Sequence, residues 1–525
     1  MKLLRVIIFP IALCSIWSCS FAKKIIVANN NEVYNAVSKL QPNDTLVFKN
    51  GSYNDIQLVL TKSGSSKKPI VLIAETPGAV IFSGDVKVAM YGAYTELNGI
   101  YFTNGNRNPN QWKPHGPGLV AMYASNCRVT NCAFNNFDEA NSAYITTSLD
   151  EKGTVPTHCR IDHCSFTNKV TFDQVINLNS QAAPNKESPV IAPPMYHRID
   201  HCFFSNPKKK GNAGGGIRIG YYRNAMGRCL VDSNVFIRQD SEPEIVTSKS
   251  MENVYYANTI LNCQGTLNFR HGDKQVAINN FFLSDDEKYG GYGGMFIWGS
   301  KHIIAGNYFS ISKTIESRGN AALYLNTGAE GTEHALAFGS IIANNVFANN
   351  NGYAIHFNPL EDLRKKFSKE HNVPFNVPHD IVLSSNTFFD NQKRNYTFFK
   401  DDYKDQNRNN TWQQNYYSGT QTGVAPIQGL EEKQPNMILK NGFYYLNNDK
   451  ALQSIKGLPG AYNSIEGIAL DFEKAISNAS MQQPLRLEDV LPEWMFSTLG
   501  DYYKTGKLSP ELSERLKRVA ATREE

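Results

Sequence analysis

One bulky apolar residue recurs along the chain in a constant local setting. Aligning "CRVTNCAFNNF", "CRIDHCSFTNK", "HRIDHCFFSNP", "CLVDSNVFIRQ", "VAINNFFLS", "IIAGNYFSIS" and "IIANNVFANNN" puts Phe134, Phe166, Phe204, Phe236, Phe282, Phe309 and Phe347 in one register. Phe102, Ile260 and Phe388 share it, at spacings of 22 to 41 residues. Two positions earlier stand Ile100, Cys132, Cys164, Cys202, Asn234, Asn258, Asn280, Asn307, Asn345 and Asn386. Short β-rich repeats of variable length, with one inward position held fixed, are the mark of a parallel β-helix. Each coil lies on the one before at about 4.8 Å, so the Phe residues should stack in a column. Asn side chains at one turn position can bond up and down that stack, and buried Cys fills the same slot as a small hydrophobe. The fold class expected is therefore all-β, a right-handed single-stranded parallel β-helix.

An open β-helix end exposes core and strand edges, so each end needs a cover. "NNNEVYNAVSKLQ" offers an Asn cap with Val33, Tyr34, Val37 and Leu40 at helical spacing, suited to an N-terminal lid. From about residue 431 the register is lost, and "LSPELSERLKRVAATREE" reads as a helix capped by Ser509 with Pro510 first. The division expected is a β-helix over 23–430 and a partly helical C-terminal appendage over 431–525, packed on it. Residues 1–22 read as an export signal: Lys2 and Arg5, then an apolar stretch, then Ser20-Phe21-Ala22 as the cleavage site. Cys19 leaves a lipoprotein alternative, though Trp17 fits one poorly. The mature protein is expected to be periplasmic or secreted, without a membrane span.

The balance of 53 basic against 48 acidic residues, a net +5, is too mild to signal nucleic-acid binding. The run Lys208-Lys209-Lys210 suits a solvated loop, or a local patch facing an anionic polymer. Of nine cysteines, Cys14 and Cys19 leave with the signal, and the other seven lack the clustering of a zinc site. A monomer is expected.

The repeat converts sequence distance into spatial distance. Asn212 lies eight residues after Phe204, and Glu244 lies eight after Phe236. They should sit on adjacent coils with Glu242 alongside, a hard all-oxygen set suited to Ca²⁺. A surface pair of glutamates bridged by Arg or Lys is the alternative. Lys249 and Arg270 also fall on neighbouring rungs. Strict alternation puts Lys249 on the face opposite the glutamates, so a corner between Val246 and Ser248 is expected to turn it back. A cation and a metal nearby would lower the lysine pKa and make it a usable base. Gly214 to Gly216 mark either close approach of a ligand or a tight corner. A base, a proton donor and a cation together suit β-elimination across a uronic acid, where Ca²⁺ neutralises charge developing on the carboxylate. A glycosidase would need two carboxylates flanking the scissile bond.

At these residues the sequence resembles polysaccharide lyases of the chondroitinase B and alginate lyase type. The likeness runs through "HGPGLVA", "DEANSAYITTSL", "TFDQVINLN", "NAGGGIRIGYYRN", "EIVTSKSMENVYY", "GTLNFRHGD", "GGMFIWGS", "SRGNAALYLN", "EHALAF" and "GYAIHFNPL". The resemblance implies Ca²⁺-assisted elimination, with the metal on Asn212, Glu242 and Glu244, the base at Lys249 and the acid at Arg270. It further implies an acidic polysaccharide partner, dermatan sulfate, cleaved at the N-acetylgalactosamine-to-iduronate linkage. Substrate contacts are implied for His115, Trp298, Arg318, Glu333 and Arg364. His115 equally suits bracing a loop, and Trp298 either a sugar-stacking face or the core. Two adjacent arginines are expected after "HFNPL", where this chain has Leu363-Arg364, a change that touches sulfate binding rather than reaction type. Alginate lyases of this type carry a glutamate where "NAGGG" has glycine, which favours the glycosaminoglycan. An alginate lyase and a non-catalytic acidic-glycan binder remain the alternatives.

Overall fold

A two-residue step separates one strand from the next along much of the chain, and that step sets the architecture. In one coil Arg128–Thr130 is followed by Ala133–Asn135 and then Ile145–Thr147; the next coil repeats this as Arg160–Asp162, Ser165–Thr167 and Ile176–Leu178. Each strand pairs in parallel with its counterpart one coil away. The computed structural model describes residues 22–499 except 107–115, 138–141, 180–192, 207–213, 222, 285–290, 329–334, 392–397, 404–405, 407, 420–426, 441–442, 447–453 and 480–481. Among these residues the coils build three long parallel sheets of 14, 14 and 12 strands, here named A, B and C in the order the chain visits them. The fold is a parallel β-helix.

The step from A to B explains the recurring turn chemistry. Its first residue is left-handed, as at Asn131, His163, His201, Ser233, Asn279 and Asn344, a conformation that short polar side chains tolerate best. The second residue points inward and builds a ladder. Asn234 donates its amide to Asn258 (3.0 Å), Asn258 to Asn280 (2.9 Å), Asn280 to Asn307 (2.9 Å) and Asn307 to Asn345 (3.0 Å). Asn345 and Asn386 continue it to Asn415, a rung beyond the last one read from the sequence. Cys132, Cys164 and Cys202 hold the same position in earlier coils, and all seven described cysteines are free and buried.

Sheet B carries the aromatic column. Phe134 pairs in register with Phe166, Phe166 with Phe204, and Phe204 with Phe236. Ring centroids there lie 4.6 to 5.1 Å apart. The stack resumes past Ile260 through Phe282, Phe309, Phe347 and Phe388.

The N-terminal end is covered by the helix Asn30–Val37, whose N-cap Asn29 accepts the Glu32 amide while Val33 and Val37 are buried. Tyr34 turns outward instead, 37% exposed. At the other end the last strand of sheet B is Leu430–Glu432. Residues 454–499 then run back over the outside of the coils: Phe472 and Ile476 pack on Val276 and Ile303 of sheet A, and Leu487 and Met495 on Phe203 and Val235 of sheet B. The helix expected from Ser509 and the signal segment 1–21 lie outside the described residues.

Candidate active site on sheet C

Sheets A and B are partly covered by the C-terminal segment; the outward face of sheet C carries charge. Inward positions across five strands of that sheet read Ile217, Val246, Leu267, Met295 and Leu323. The outward positions one residue on read Arg218, Thr247, Asn268, Phe296 and Tyr324.

The strand Glu244–Lys249 departs from simple alternation. Its pairing with Thr266–His271 shifts register between Glu244 and Val246, and again between Ser248 and Lys249. Ile245 and Val246 consequently both enter the core, at 1% and 3% exposure. A β-bulge of this kind inserts one residue and re-aims the side chains beyond it. Glu244 therefore emerges on the same face as Thr247, whose hydroxyl donates to Glu244 Oε2 at 2.9 Å, and Lys249 comes two residues later. The expected corner between Val246 and Ser248 does not exist. The strand is continuous, and the extra residue at Ile245 corrects the parity.

The two acids are held differently. Glu242 is buried, and its Oε2 accepts the backbone amides of Gly214 (2.9 Å) and Gly215 (2.8 Å). A Cβ on Gly215 would collide with the Glu244 carbonyl oxygen, so this glycine allows the amides to reach the carboxylate. Glu244 Oε1 lies 3.9 Å from Arg270 Nε.

Aromatic rings hold the cations. Lys249 Nζ lies 5.3 Å from the Tyr221 ring centre, and the Arg218 guanidinium lies 5.7 Å from the same ring. Arg218 also donates from Nε to Asn177 Oδ1 at 3.0 Å. Arg364 and Arg270 both lie over Trp298, at 4.2 and 5.4 Å, and Arg318 over Phe296 at 4.8 Å. Trp298 is thus no sugar-stacking face: only 2% of it is exposed, and its ring supports two guanidinium groups. Arg364 is the buried side chain of the helix Glu361–His371, whereas its neighbour Leu363 is 52% exposed.

Burial pushes Lys249 below the ordinary lysine range. Glu244 opposes the shift, Arg218 and Arg270 reinforce it, and Glu242 opposes it weakly. Burial likewise lowers Arg318 and Arg218, against the pull of nearby acids. Arg364 is pushed down to about 10 by burial and then by Arg270, and it stays protonated at neutral pH.

The structure thus brings Glu242, Glu244, Lys249, Arg270, Arg318, Arg364 and Trp298 to one face. His115, Asn212 and Glu333 lie outside the described residues. Sequence reasoning missed Arg218, Tyr221, Phe296 and Tyr324, and also His271, which pairs with Lys249. Alternation in "GGGIRIGYY" carried the signal for Arg218, since it faces outward between two inward isoleucines. Among the described residues no three His, Cys, Asp or Glu side chains are grouped to hold a metal. Glu242 and Glu244 supply hard oxygen donors of the kind Ca²⁺ takes, and they fit as the acidic part of such a shell.

The family model described as Chondroitinase B matches residues 27–460. No curated protein matches the chain. Among solved structures, the PL6 family alginate lyase AlyGC superposes with a TM-score of 0.69 at 19% identity, over 90% of this chain and 59% of that one. This chain therefore spans less than two thirds of AlyGC. A mannuronic acid specific polysaccharide family 6 lyase from human gut microbiota gives 0.62 at 23% identity, over 78% of this chain and 91% of that one. The PL6 family polysaccharide lyase Pedsa3628 from Pseudopedobacter saltans gives 0.61 at 18%, over 77% and 97%. Identities this low establish likeness of fold, while the family model spans most of the sequence: the chain belongs to the Chondroitinase B family, on the β-helix of the PL6 polysaccharide lyases.

Proposed function

We propose that this protein is a polysaccharide lyase that cleaves dermatan sulfate by β-elimination at the N-acetylgalactosamine-to-iduronate linkage, leaving a 4,5-unsaturated uronate. The observation that carries the reading is the bulge at Ile245, which delivers Glu244 and Lys249 to one face beside Arg270. The guanidinium groups of Arg218, Arg270, Arg318 and Arg364, gathered around Lys249, suit a polyanionic chain.

Neutral Lys249 takes the proton from C5 of the uronate. The electron pair of that C–H bond forms the C4–C5 double bond, and the C4–O bond breaks. Arg270 stabilises the leaving oxygen, and with a hydrogen-bonded water it supplies the proton, since a guanidinium alone is a poor acid. Arg318 and Arg364, fixed on their rings, orient carboxylate or sulfate groups through fork-shaped hydrogen bonding. Glu242 and Glu244, with Asn212, would hold a Ca²⁺ ion, which when bound neutralises charge developing on the substrate carboxylate. The arrangement of these two acids does not favour hydrolysis: Glu242 is tied to two amides and Glu244 faces Arg270, unlike two carboxylates set on either side of a glycosidic bond. Export belongs to the same reading, resting on Lys2, Arg5 and the apolar stretch after them.

A second substrate, alginate, is favoured by the alginate lyases among the structural neighbours. Incubation with dermatan sulfate, chondroitin 4-sulfate and alginate, monitored by ultraviolet absorbance of the new double bond, separates these. Absorbance is expected with dermatan sulfate; absorbance with alginate alone reassigns the substrate. Excess chelator should abolish turnover and Ca²⁺ should restore it, and turnover indifferent to chelator removes the metal from the mechanism.

A further inference from the structure

A second polar cleft, of about 450 Å³, opens where the chain passes from sheet B into sheet C. Ser241, Gln264, Lys313 and Thr314 line it. They come from the corresponding corners of successive coils, so the cleft runs along the coil axis over about 14 Å at three rung spacings. Two of its walls belong to the site already described: Pro243 stands between Glu242 and Glu244, and Arg318 joins the cleft to the cation cluster. Its volume falls in the range that holds small ligands, about 300 to 1,000 Å³.

The wall mixes charge, amide and apolar groups: Lys313 and Arg318 with the exposed Glu316, beside Gln264, Pro243 and Ile315. Gln264 brings an amide, whereas Ser241 and Thr314 are buried and their hydroxyls bond within the fold, to the Asn206 and Asn351 carbonyls. Asp240, also on the wall, is buried and accepts the Gln264 backbone amide at 2.7 Å, so it is engaged within the fold. Lys313 forms no ion pair with any described residue and is only partly buried. An anionic chain leaving the Glu242–Glu244 end of the site past Arg318 meets this lysine next.

We propose that this corner cleft is a distal subsite that holds one further sugar of the acidic glycan, with the Lys313 ammonium on its carboxylate or sulfate and the Gln264 amide on its hydroxyls. The assignment rests on the lyase reading above and adds a chain-length preference to it. Only a chain long enough to span both regions gains the Lys313 contact. Specificity then depends on length as well as on the sugar at the scissile bond.

The test compares kcat/KM on size-fractionated tetrasaccharides and decasaccharides of whichever uronate polymer the wild-type protein cleaves. Lys313→Ala should lower the decasaccharide-to-tetrasaccharide ratio about tenfold, the scale of one charge-assisted contact. Ser317→Trp, which fills the cleft from its exposed rim, should lower the ratio in the same way, with thermal unfolding recorded for both variants. A ratio unchanged in both folded variants, or an equal loss on both lengths, overturns the subsite while the lyase reading stands. A wild-type protein inactive on every uronate polymer fails the lyase reading first, and the subsite with it.

Discussion

At the scale of single residues, Lys249 is held where its charged form is penalised. It is largely buried beside Arg218 and Arg270, and Glu244 offsets only part of that cost. The burial has two consequences of opposite sign. Lys249→Met should reduce turnover by about 10² to 10⁴-fold, the usual contribution of a positioned base. The same variant should unfold at a higher temperature at neutral pH. With the folded pKa below the unfolded value of about 10.4, the unfolded chain binds the extra proton. Wild type therefore carries its penalty in full below the folded pKa and sheds it as pH rises toward the unfolded one. The melting difference between variant and wild type should shrink toward alkaline pH. Turnover of wild type should rise with pH across the depressed lysine range, before an ordinary lysine would deprotonate. Equal melting temperatures at pH 7, with activity retained, would show that Lys249 is neither strained nor the base.

At the scale of strands and turns, the Asn ladder and the Phe column differ in what a substitution removes. Asn307 Oδ1 accepts both the backbone and side-chain N–H groups of Asn280, while its own amide donates to Ala277 and Asn345. Asn307→Ala strands buried donors and acceptors at about 1–3 kcal/mol each. Cys164→Ala, at the equivalent rung, removes only a thiol with weak contacts to Val129 and Asp162. Thermal unfolding should show a markedly larger loss for Asn307→Ala, and equal losses would deny the ladder its role. These rungs could be read from sequence because each coil presents the same inward slot to the same kind of residue. The Glu244–Lys249 strand could not. In "EIVTSK" either Ile245 or Val246 satisfies the core, and nothing in one sequence says that both do. Alternation then assigns Lys249 to the wrong face, and only a corner that the strand lacks could bring it back. Trp298 misled for a related reason: an aromatic residue beside charged neighbours suits a sugar or a guanidinium equally, and only packing shows Arg364 over its ring.

At the scale of the whole molecule, the C-terminal segment chooses its sheets by the outward chemistry of each. Outward positions of sheet A are apolar at Val254, Val276, Ile303 and Ile341, and these bury Ile455, Ile465, Ile468 and Phe472. On sheet B, Ala133, Phe203 and Val235 receive Leu487, Val490 and Met495. Polar anchors fix the path: Asn279 donates to the Ala475 carbonyl, and Trp494 Nε1 donates to Asn131 Oδ1, both at 2.7 Å. Sheet C differs: Arg218, Thr247 and Asn268 face outward there, and its outward aromatic residues Phe296, Trp298 and Tyr324 are covered by Tyr353, Leu360 and the arginines rather than by the segment. Cutting the chain after residue 453 should therefore separate stability from chemistry. Each apolar side chain lost forfeits about 1.5–3 kcal/mol of burial, and sheets A and B are left with exposed apolar strips that bind hydrophobic dye and promote aggregation. The melting temperature should fall sharply. In the fraction that remains folded, kcat on the polymer should stay within a few fold of the full chain, because no described residue of the segment lies among those that hold Lys249, Arg270 or Glu244. Loss of kcat in that folded fraction, with KM unchanged, would mean instead that the segment shapes sheet C from behind, through the coils it clamps.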